Sequence, residues 1–195
     1  MKLIGITGFA RSGKNLYAEI ASNILNQFGK SSRQASLAFQ LKSDLYEFLN
    51  KSVKIDAFTE NTDEKNVIRP VLIAYGNMMR DRSYGKYWTS KLESDLENFK
   101  NECDYVFITD IRYNIYPEDE VYWLKSKMKG HLVHVHRTDN LPNNVHEETN
   151  DITIRKLSDV FVEWEDLGCM PHEQLLGNEY LNEHVYKSLS DLNII

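Results

Sequence analysis

No stretch of this sequence approaches the roughly 20 consecutive apolar residues that a membrane-crossing helix requires, so no membrane partner is expected. The first residues hold one lysine and a short apolar run broken by Gly5, too short and too interrupted for a secretory signal. Cysteine is scarce. Cys103 and Cys169 lie far apart in no metal-ligand spacing, which makes a reducing cytoplasm the economical location. Positive charge is short as well: 23 Lys and Arg stand against 29 Asp and Glu, a formal net charge of −6. Proteins that grip long nucleic acid usually carry the opposite balance, because phosphate neutralisation supplies most of their affinity. A nucleic-acid partner is therefore not expected, whereas a small polyanion can be held by a few cations gathered locally. Internal repeats and low-complexity segments are absent too.

What is present is an ordinary globular composition, 42% apolar and 27% charged over 195 residues. That length predicts a single domain, 1–195, with enough chain to bury a substantial core. The chain is organised around Lys2–Ile20, KLIGITGFARSGKNLYAEI. Its apolar run (Leu3, Ile4, Ile6) is of the kind a buried parallel strand shows. It then turns through Gly8-Phe9-Ala10-Arg11-Ser12-Gly13-Lys14, the G-x-x-x-x-G-K of a phosphate-binding P-loop. Glycine at both ends frees the backbone, so that successive N–H groups can point at phosphate oxygens. The helix that follows adds its positive dipole end, and Lys14 adds a compact cation for the β- and γ-phosphates. A chance glycine-rich turn is the alternative, but the strand before and the amphipathic helix after are the confirming context. Where such loops place Ser or Thr to hold Mg2+, this chain has Asn15. Its amide oxygen can coordinate the ion or orient one of its waters, less strongly than a hydroxyl.

Tyr17, Ile20, Ala21, Ile24 and Phe28 recur at helical spacing, with Gly29 placed to end that helix. Gln34–Phe39 reads as a second short strand, leading into a helix with Leu41, Leu45, Phe48 and Leu49. Residues 50–65 are polar and irregular and read as a loop. Pro70 sits where a helix would begin, followed by Val71, Leu72, Tyr75 and Met79. After an interruption at Ser83–Lys86, Trp88, Leu92, Leu96 and Phe99 make another helix. Tyr105–Thr109 is apolar throughout and predicts a central strand. Pro117 is placed to open a helix with Val121, Leu124 and Met128, and His131–His136 reads as a fourth strand. Thr138–Asp151 is polar, lacks apolar periodicity and reads as a loop. Ser158–Val162 reads as a last strand and Glu173–Leu192 as a closing helix. Strands alternating with helices predict an α/β fold, a mainly parallel sheet covered on both faces, with ligands at the carboxyl ends of the strands.

Asp110 directly follows the strand YVFIT. There it can hold Mg2+ through water or accept a proton from an attacking oxygen, or else cap the next turn. Arg112 can pair with it or reach a phosphate. Arg69, Arg80 and Arg82 surround Gly76; arginine forks bind phosphate bidentately, although a solvated helix face is the common fate of such charges. Arg137 ends the fourth strand and Arg155 closes the polar loop, where cations of a lid would contact the transferring group; loop solubility is the plainer reading. His131, His134 and His136 could bind a metal, but without evident thiolate or carboxylate partners they read as ordinary strand histidines. Tyr87-Trp88 and Tyr122-Trp123 could stack a base, with packing the more usual role.

Assembled, these residues resemble the bacteriophage-type deoxynucleoside monophosphate kinases, a branch of the P-loop nucleoside monophosphate kinases. The resemblance runs through GFARSGKN at Gly8–Asn15, LAFQLK at Leu37–Lys42, IRPVLIAYGNMMRDRSYGKYWTSKL at Ile68–Leu92, FITDIR at Phe107–Arg112 and VHVHR at Val133–Arg137. HEE at His146–Glu148 resembles a weaker lid-proximal motif. That family often carries an acidic residue after the P-loop lysine, so Asn15 is a variant of its own departure. The asparagine-rich turn that usually follows the last strand is Glu163-Trp164-Glu165-Asp166 here. The resemblance implies a three-layer P-loop NTPase fold, an acceptor-binding helical region over about 40–100 and a lid-like loop over about 138–156. It implies ATP and Mg2+ as cofactors, with Gly8, Arg11, Ser12, Gly13, Lys14 and Asn15 around the ATP phosphates and Asn15 and Asp110 on the metal side. Arg69, Arg80 and Trp88 would meet the acceptor monophosphate, while Lys14, Asp110, Arg112 and Arg137 would serve the transfer. Small nucleotide substrates are then the partners, a homodimer is left open, and the cytoplasm would be that of a bacterial host. The rivals are another small-molecule P-loop kinase, of the phosphomevalonate or dephospho-coenzyme A kinase type, and a nucleotide-binding regulatory protein without turnover.

Overall fold

The computed structural model describes residues 1–142 and 145–195, with His146 described by its backbone alone. Five strands, β1 (Lys2–Thr7), β2 (Ser32–Ala35), β3 (Tyr105–Ile108), β4 (His131–Arg137) and β5 (Val160–Trp164), form one sheet in the order β2-β3-β1-β4-β5. Every pairing is parallel. The helices are α1 (Lys14–Gln27), α2 (Leu37–Ser52), α3 (Thr62–Arg82), α4 (Lys86–Phe99), α5 (Glu120–Tyr122), α6 (Val145–Leu157), α7 (His172–Leu176) and α8 (Glu179–Asp191). A π-helical turn, Trp123–Lys127, continues α5.

Side chains alternate across a strand, and this alternation divides the core in two. Ile4, Ile6, Tyr105, Phe107, Val133 and Val135 pack on one face with Tyr17 and Ile20 of α1 and Val185 and Leu189 of α8. Leu3, Val106, Ile108 and Leu132 pack on the other with Leu92 and Leu96 of α4 and Leu124. Helices on both faces of a parallel sheet are what the sequence pattern predicts. A third, smaller cluster (Leu49, Ala57, Ile68) lies between α2 and α3, away from the sheet. No helix among the described residues is long and apolar enough to cross a membrane.

Several element boundaries differ from the sequence reading. The second strand is Ser32–Ala35, not Gln34–Phe39: the Ser36 hydroxyl accepts from the Phe39 N–H and starts α2 at Leu37, so LAF is helical. Pro70 lies inside α3 rather than at its start. Asn61 caps the helix there, accepting from the N–H groups of Asp63 and Glu64, so the expected loop over 50–65 is narrowed to the stretch between the end of α2 at Ser52 and the start of α3 at Thr62. Pro117 opens no helix, since Asp119 caps α5 two residues later. The polar segment before Asp151 is in part the helix α6, and the closing helix is two, α7 and α8, separated at Gly177. β3 is interior, between β2 and β1, and β1 itself occupies the centre. All five strands run the same way, so the P-loop, Ser36, Asp110 and Arg137 gather at one end of the sheet.

Candidate functional site

The P-loop leaves the central strand and bends back on itself through positive φ at Gly8 (128°), Arg11 (66°) and Gly13 (89°). Glycine is required twice. A β-carbon on Gly8 would strike the Val135 carbonyl, and one on Gly13 would stand 2.8 Å from Cζ2 of Trp164. The Trp164 indole supports the loop from below, its Nε1 donating to the Ser12 carbonyl at 3.0 Å. The Ser12 hydroxyl is buried and has no hydrogen-bond partner among the described residues, which suits a loop built around an anion.

Lys14 opens α1 and is buried. Its ammonium folds back to donate to the carbonyls of Gly8 (2.9 Å) and Phe9 (2.6 Å). Burial, and then the nearby charge of Arg112, lower its pKa to about 8, against the opposing pull of Glu147, Asp110 and Asp151. A buried cation this weakly compensated favours an incoming polyanion. Asn15, the next residue, is exposed.

Asp110 stands at the end of β3, where the strand pattern puts it, but its carboxylate is heavily committed. It accepts from the Ser36 hydroxyl (2.8 Å) and from the N–H groups of Leu37 (2.9 Å) and Ala38 (2.7 Å). It thus caps α2 across the sheet, not the turn after its own strand. A carboxylate has about four acceptor positions, so what remains suits a metal-bound water better than a direct metal bond. Arg112 is exposed, and its guanidinium makes no ion pair among the described residues, with Asp110 or otherwise. Its backbone N–H, with that of Tyr113, donates to Glu120 at 2.6 and 3.1 Å. Burial raises the Glu120 carboxyl to about 8, although those two N–H groups pull it down. Asp119 likewise holds the N–H groups of Ile115 and Tyr116, so two buried acids shape the loop that follows Asp110.

The three arginines around Gly76 do not converge. Arg80 is 7% exposed, stacked 3.5 Å above the centroid of the Tyr113 ring, with Nη1 4.0 Å from Asp119. Its Nε and Nη1 are buried without hydrogen-bond partners among the described residues. Arg69 and Arg82 are exposed. Arg69 lies three turns earlier on α3, about 16 Å along the axis at 1.5 Å per residue, too far to share one small anion with Arg80. Trp88 is a packing residue: buried, it donates from Nε1 to the Gly76 carbonyl at 3.1 Å and meets the edges of Tyr75 and Tyr87. Trp123 is also buried, donating to Glu93.

Arg137 ends β4 with Nη1 3.3 Å from Asp166 and its buried Nε without a hydrogen-bond partner among the described residues. Arg155 is stacked 4.0 Å from the Phe161 centroid. His134 and His136 stack on the same ring, and His134 Nε2 lies 2.9 Å from Asp151. Among the described residues no group of three His, Cys, Asp or Glu side chains is arranged to hold a metal. Of the expected lid region, residues 143 and 144 and the side chain of His146 in HEE lie outside the described residues.

Sequence reasoning missed Asp119, Glu120 and Asn140; it met Glu147 only within HEE and Trp164 only within Glu163-Trp164-Glu165-Asp166, neither with the contacts that the structure gives it. The acids near 119 read as an ordinary helix start.

Among solved structures, the chain is similar to a dephospho-CoA kinase from Campylobacter jejuni, with 12% sequence identity over 98% of each chain and a TM-score of 0.52. The fold is that of the P-loop kinases. A shikimate kinase from Bacteroides thetaiotaomicron also aligns over 98% of each chain, at 11% identity and a TM-score of 0.46, too low to add weight. No family model matches the chain, and none of the curated proteins matches it. At such identities the likeness concerns the fold alone, and nothing in it ties the chain to phage deoxynucleotide kinases.

Proposed function

We propose that the protein transfers the γ-phosphoryl group of ATP to a phosphate of a small acceptor, and that the acceptor is a (deoxy)nucleoside 5'-monophosphate. The observation that carries this reading is a pair of unlike cationic sites joined by one loop. Lys14 sits in the P-loop, Arg112 is close enough to depress its pKa, and Tyr113 next to Arg112 stacks on the under-bonded Arg80. Transfer between phosphate oxygens needs positioning and cations more than covalent chemistry. Lys14 would leave the Gly8 and Phe9 carbonyls for the donor phosphates. Arg80 would place the acceptor phosphate, with Arg112 between them and Arg137 at the far side. Mg2+ would neutralise charge on the donor phosphates, held by the exposed Asn15 amide and, through water, by the free position on Asp110.

The likeness to a dephospho-CoA kinase favours a second reading, in which that kind of acceptor replaces the nucleotide. A coupled assay with ATP and a panel of nucleoside and deoxynucleoside monophosphates, dephospho-CoA and phosphomevalonate separates the readings. Turnover with a nucleoside monophosphate well above the rest is expected. Turnover with dephospho-CoA alone would select the second reading, and ATP binding without any turnover would leave a regulatory nucleotide-binding protein.

A further inference from the structure

Both backbone polar groups of Ala10, in the middle of the P-loop, are held by residues far along the chain. Glu147 Oε1 accepts from the Ala10 N–H at 2.7 Å, and Asn140 Nδ2 donates to the Ala10 carbonyl at 2.7 Å. The N–H groups of such a loop serve phosphate oxygens. A carboxylate offers the same N–H an equivalent anionic acceptor. Glu147 also acts on Lys14, opposing the effect of burial on its charge, so it meets both halves of the loop's demand for an anion.

The way α6 is fastened allows release. Ile154, 1% exposed, anchors its C-terminal half in the core, whereas Val145 and Ile152 are exposed. The N-terminal half is tied down by Glu147 and, one turn later on the same face, by Asp151 against His134. Arg155, a further turn along, is drawn off to Phe161. The helix therefore turns two acids toward the P-loop, in a place that a polyphosphate would contest by occupancy and by like charge.

We infer that Glu147 is an internal stand-in for phosphate: it holds the Ala10 amide in the unliganded protein, and nucleotide binds by displacing it and freeing the N-terminal half of α6. This rests on the P-loop being the nucleotide site. Calorimetric binding of ADP and ATP in EDTA, where no metal can bridge, tests it on wild type, Glu147→Gln and Glu147→Ala. Glu147→Ala should bind about tenfold more tightly, as expected when a charge-assisted competitor is removed, with a smaller gain for Glu147→Gln. Unchanged or weaker binding by both variants, beside a wild type that binds, overturns the inference alone. Failure of all three proteins to bind nucleotide overturns the nucleotide reading and the inference with it. Hydrogen exchange on the wild type supplies a test free of any folding defect. ADP should speed amide exchange over residues 147–153 while slowing it in the P-loop; slowing in both would mean that α6 closes on the nucleotide, and would overturn the inference.

Discussion

The loop proposed for the donor and the helices proposed for the acceptor hold positive charge in opposite ways. The loop builds its site from consecutive backbone groups, bent by positive φ, with Trp164 beneath and Lys14 at its end. The proposed acceptor side relies on one guanidinium, Arg80, stacked on Tyr113 and backed at 4.0 Å by Asp119. Their supports differ too. The loop grows out of the central strand between two large apolar clusters, whereas α2 and α3 reach one of these only through Leu37, Leu41, Tyr75 and Met79, meet each other over the small cluster around Leu49, Ala57 and Ile68, and leave Val67, Ile73 and Met78 exposed. A site made of backbone is specified by seven neighbouring residues. A site made of one side chain depends on everything that packs around it, and local opening of a thinly packed region costs less.

The comparison breaks first at Lys14. Lys14→Met should lower transfer by at least about a hundredfold, the scale of losing a donor aimed at developing charge. Near-native turnover in a variant that folds normally would show that the loop is not the phosphate site. The same substitution should stabilise the unliganded protein at pH 7 by up to about 3 kcal/mol, since each pKa unit is worth about 1.4 kcal/mol. Lys14 falls from its ordinary 10.5 to about 8 on folding, so between those values the unfolded chain binds more protons and stability rises with pH. Melting from pH 7 to 11 should therefore show the wild type gaining on the variant above pH 8 and catching it near pH 10.5.

Arg80 sharpens the other side. Arg80→Ala should cut acceptor kcat/KM roughly ten- to a hundredfold, the worth of one charge-assisted contact, with ATP binding nearly unchanged. Arg69→Ala, on an exposed face three turns away, should stay within about threefold. Steady-state kinetics with each substrate varied in turn decide. Equal losses would mean that α3 rearranges to bring both arginines to the acceptor, and weakened ATP binding by Arg80→Ala would move that residue to the donor side.

Asp110 joins the two regions, and its effect should be on stability first. Asp110→Ala leaves two N–H groups at the start of α2 and the Ser36 hydroxyl without their acceptor, at about 2–3 kcal/mol. Asp110→Asn should recover part of that in a denaturant melt. If Asp110→Asn keeps its stability yet loses most of its turnover, the carboxylate has a chemical role beyond capping. The smallest effect is expected at Asn15→Thr, with kcat within about threefold and a tighter Mg2+ dependence, because a hydroxyl is the usual ligand there. Complete loss would give the amide a role of its own.

The P-loop, its strand, the parallel sheet and the place of Asp110 were legible because each depends on neighbours in sequence. The second strand was misplaced because Ser32–Ala35 is a short, half-exposed edge without an apolar run, while LAF beside it is apolar yet helical. The helix α6 was invisible because only Ile154 among its apolar residues is fully buried, leaving no periodic stripe. Pro70 misled because a proline that fits the start of a helix also survives on the exposed side of a long one. The pairings at Asp110 and Ala10 span more than seventy residues, and no local spacing encodes them. Arg69 and Arg80 looked alike as letters; burial alone separates them.

Trp164 gives the P-loop a signal of its own. The other two tryptophans, Trp88 and Trp123, belong to the cluster on the far face of the sheet, while Trp164 bonds the Ser12 carbonyl and touches Gly13. With Trp88 and Trp123 replaced by phenylalanine, the chain would carry a single tryptophan, excitable apart from its tyrosines, lodged under the loop. Any movement of Ser12 or Gly13 would then alter the polarity around one indole, so that the protein's own emission spectrum would report, without a label, whether the donor site is filled.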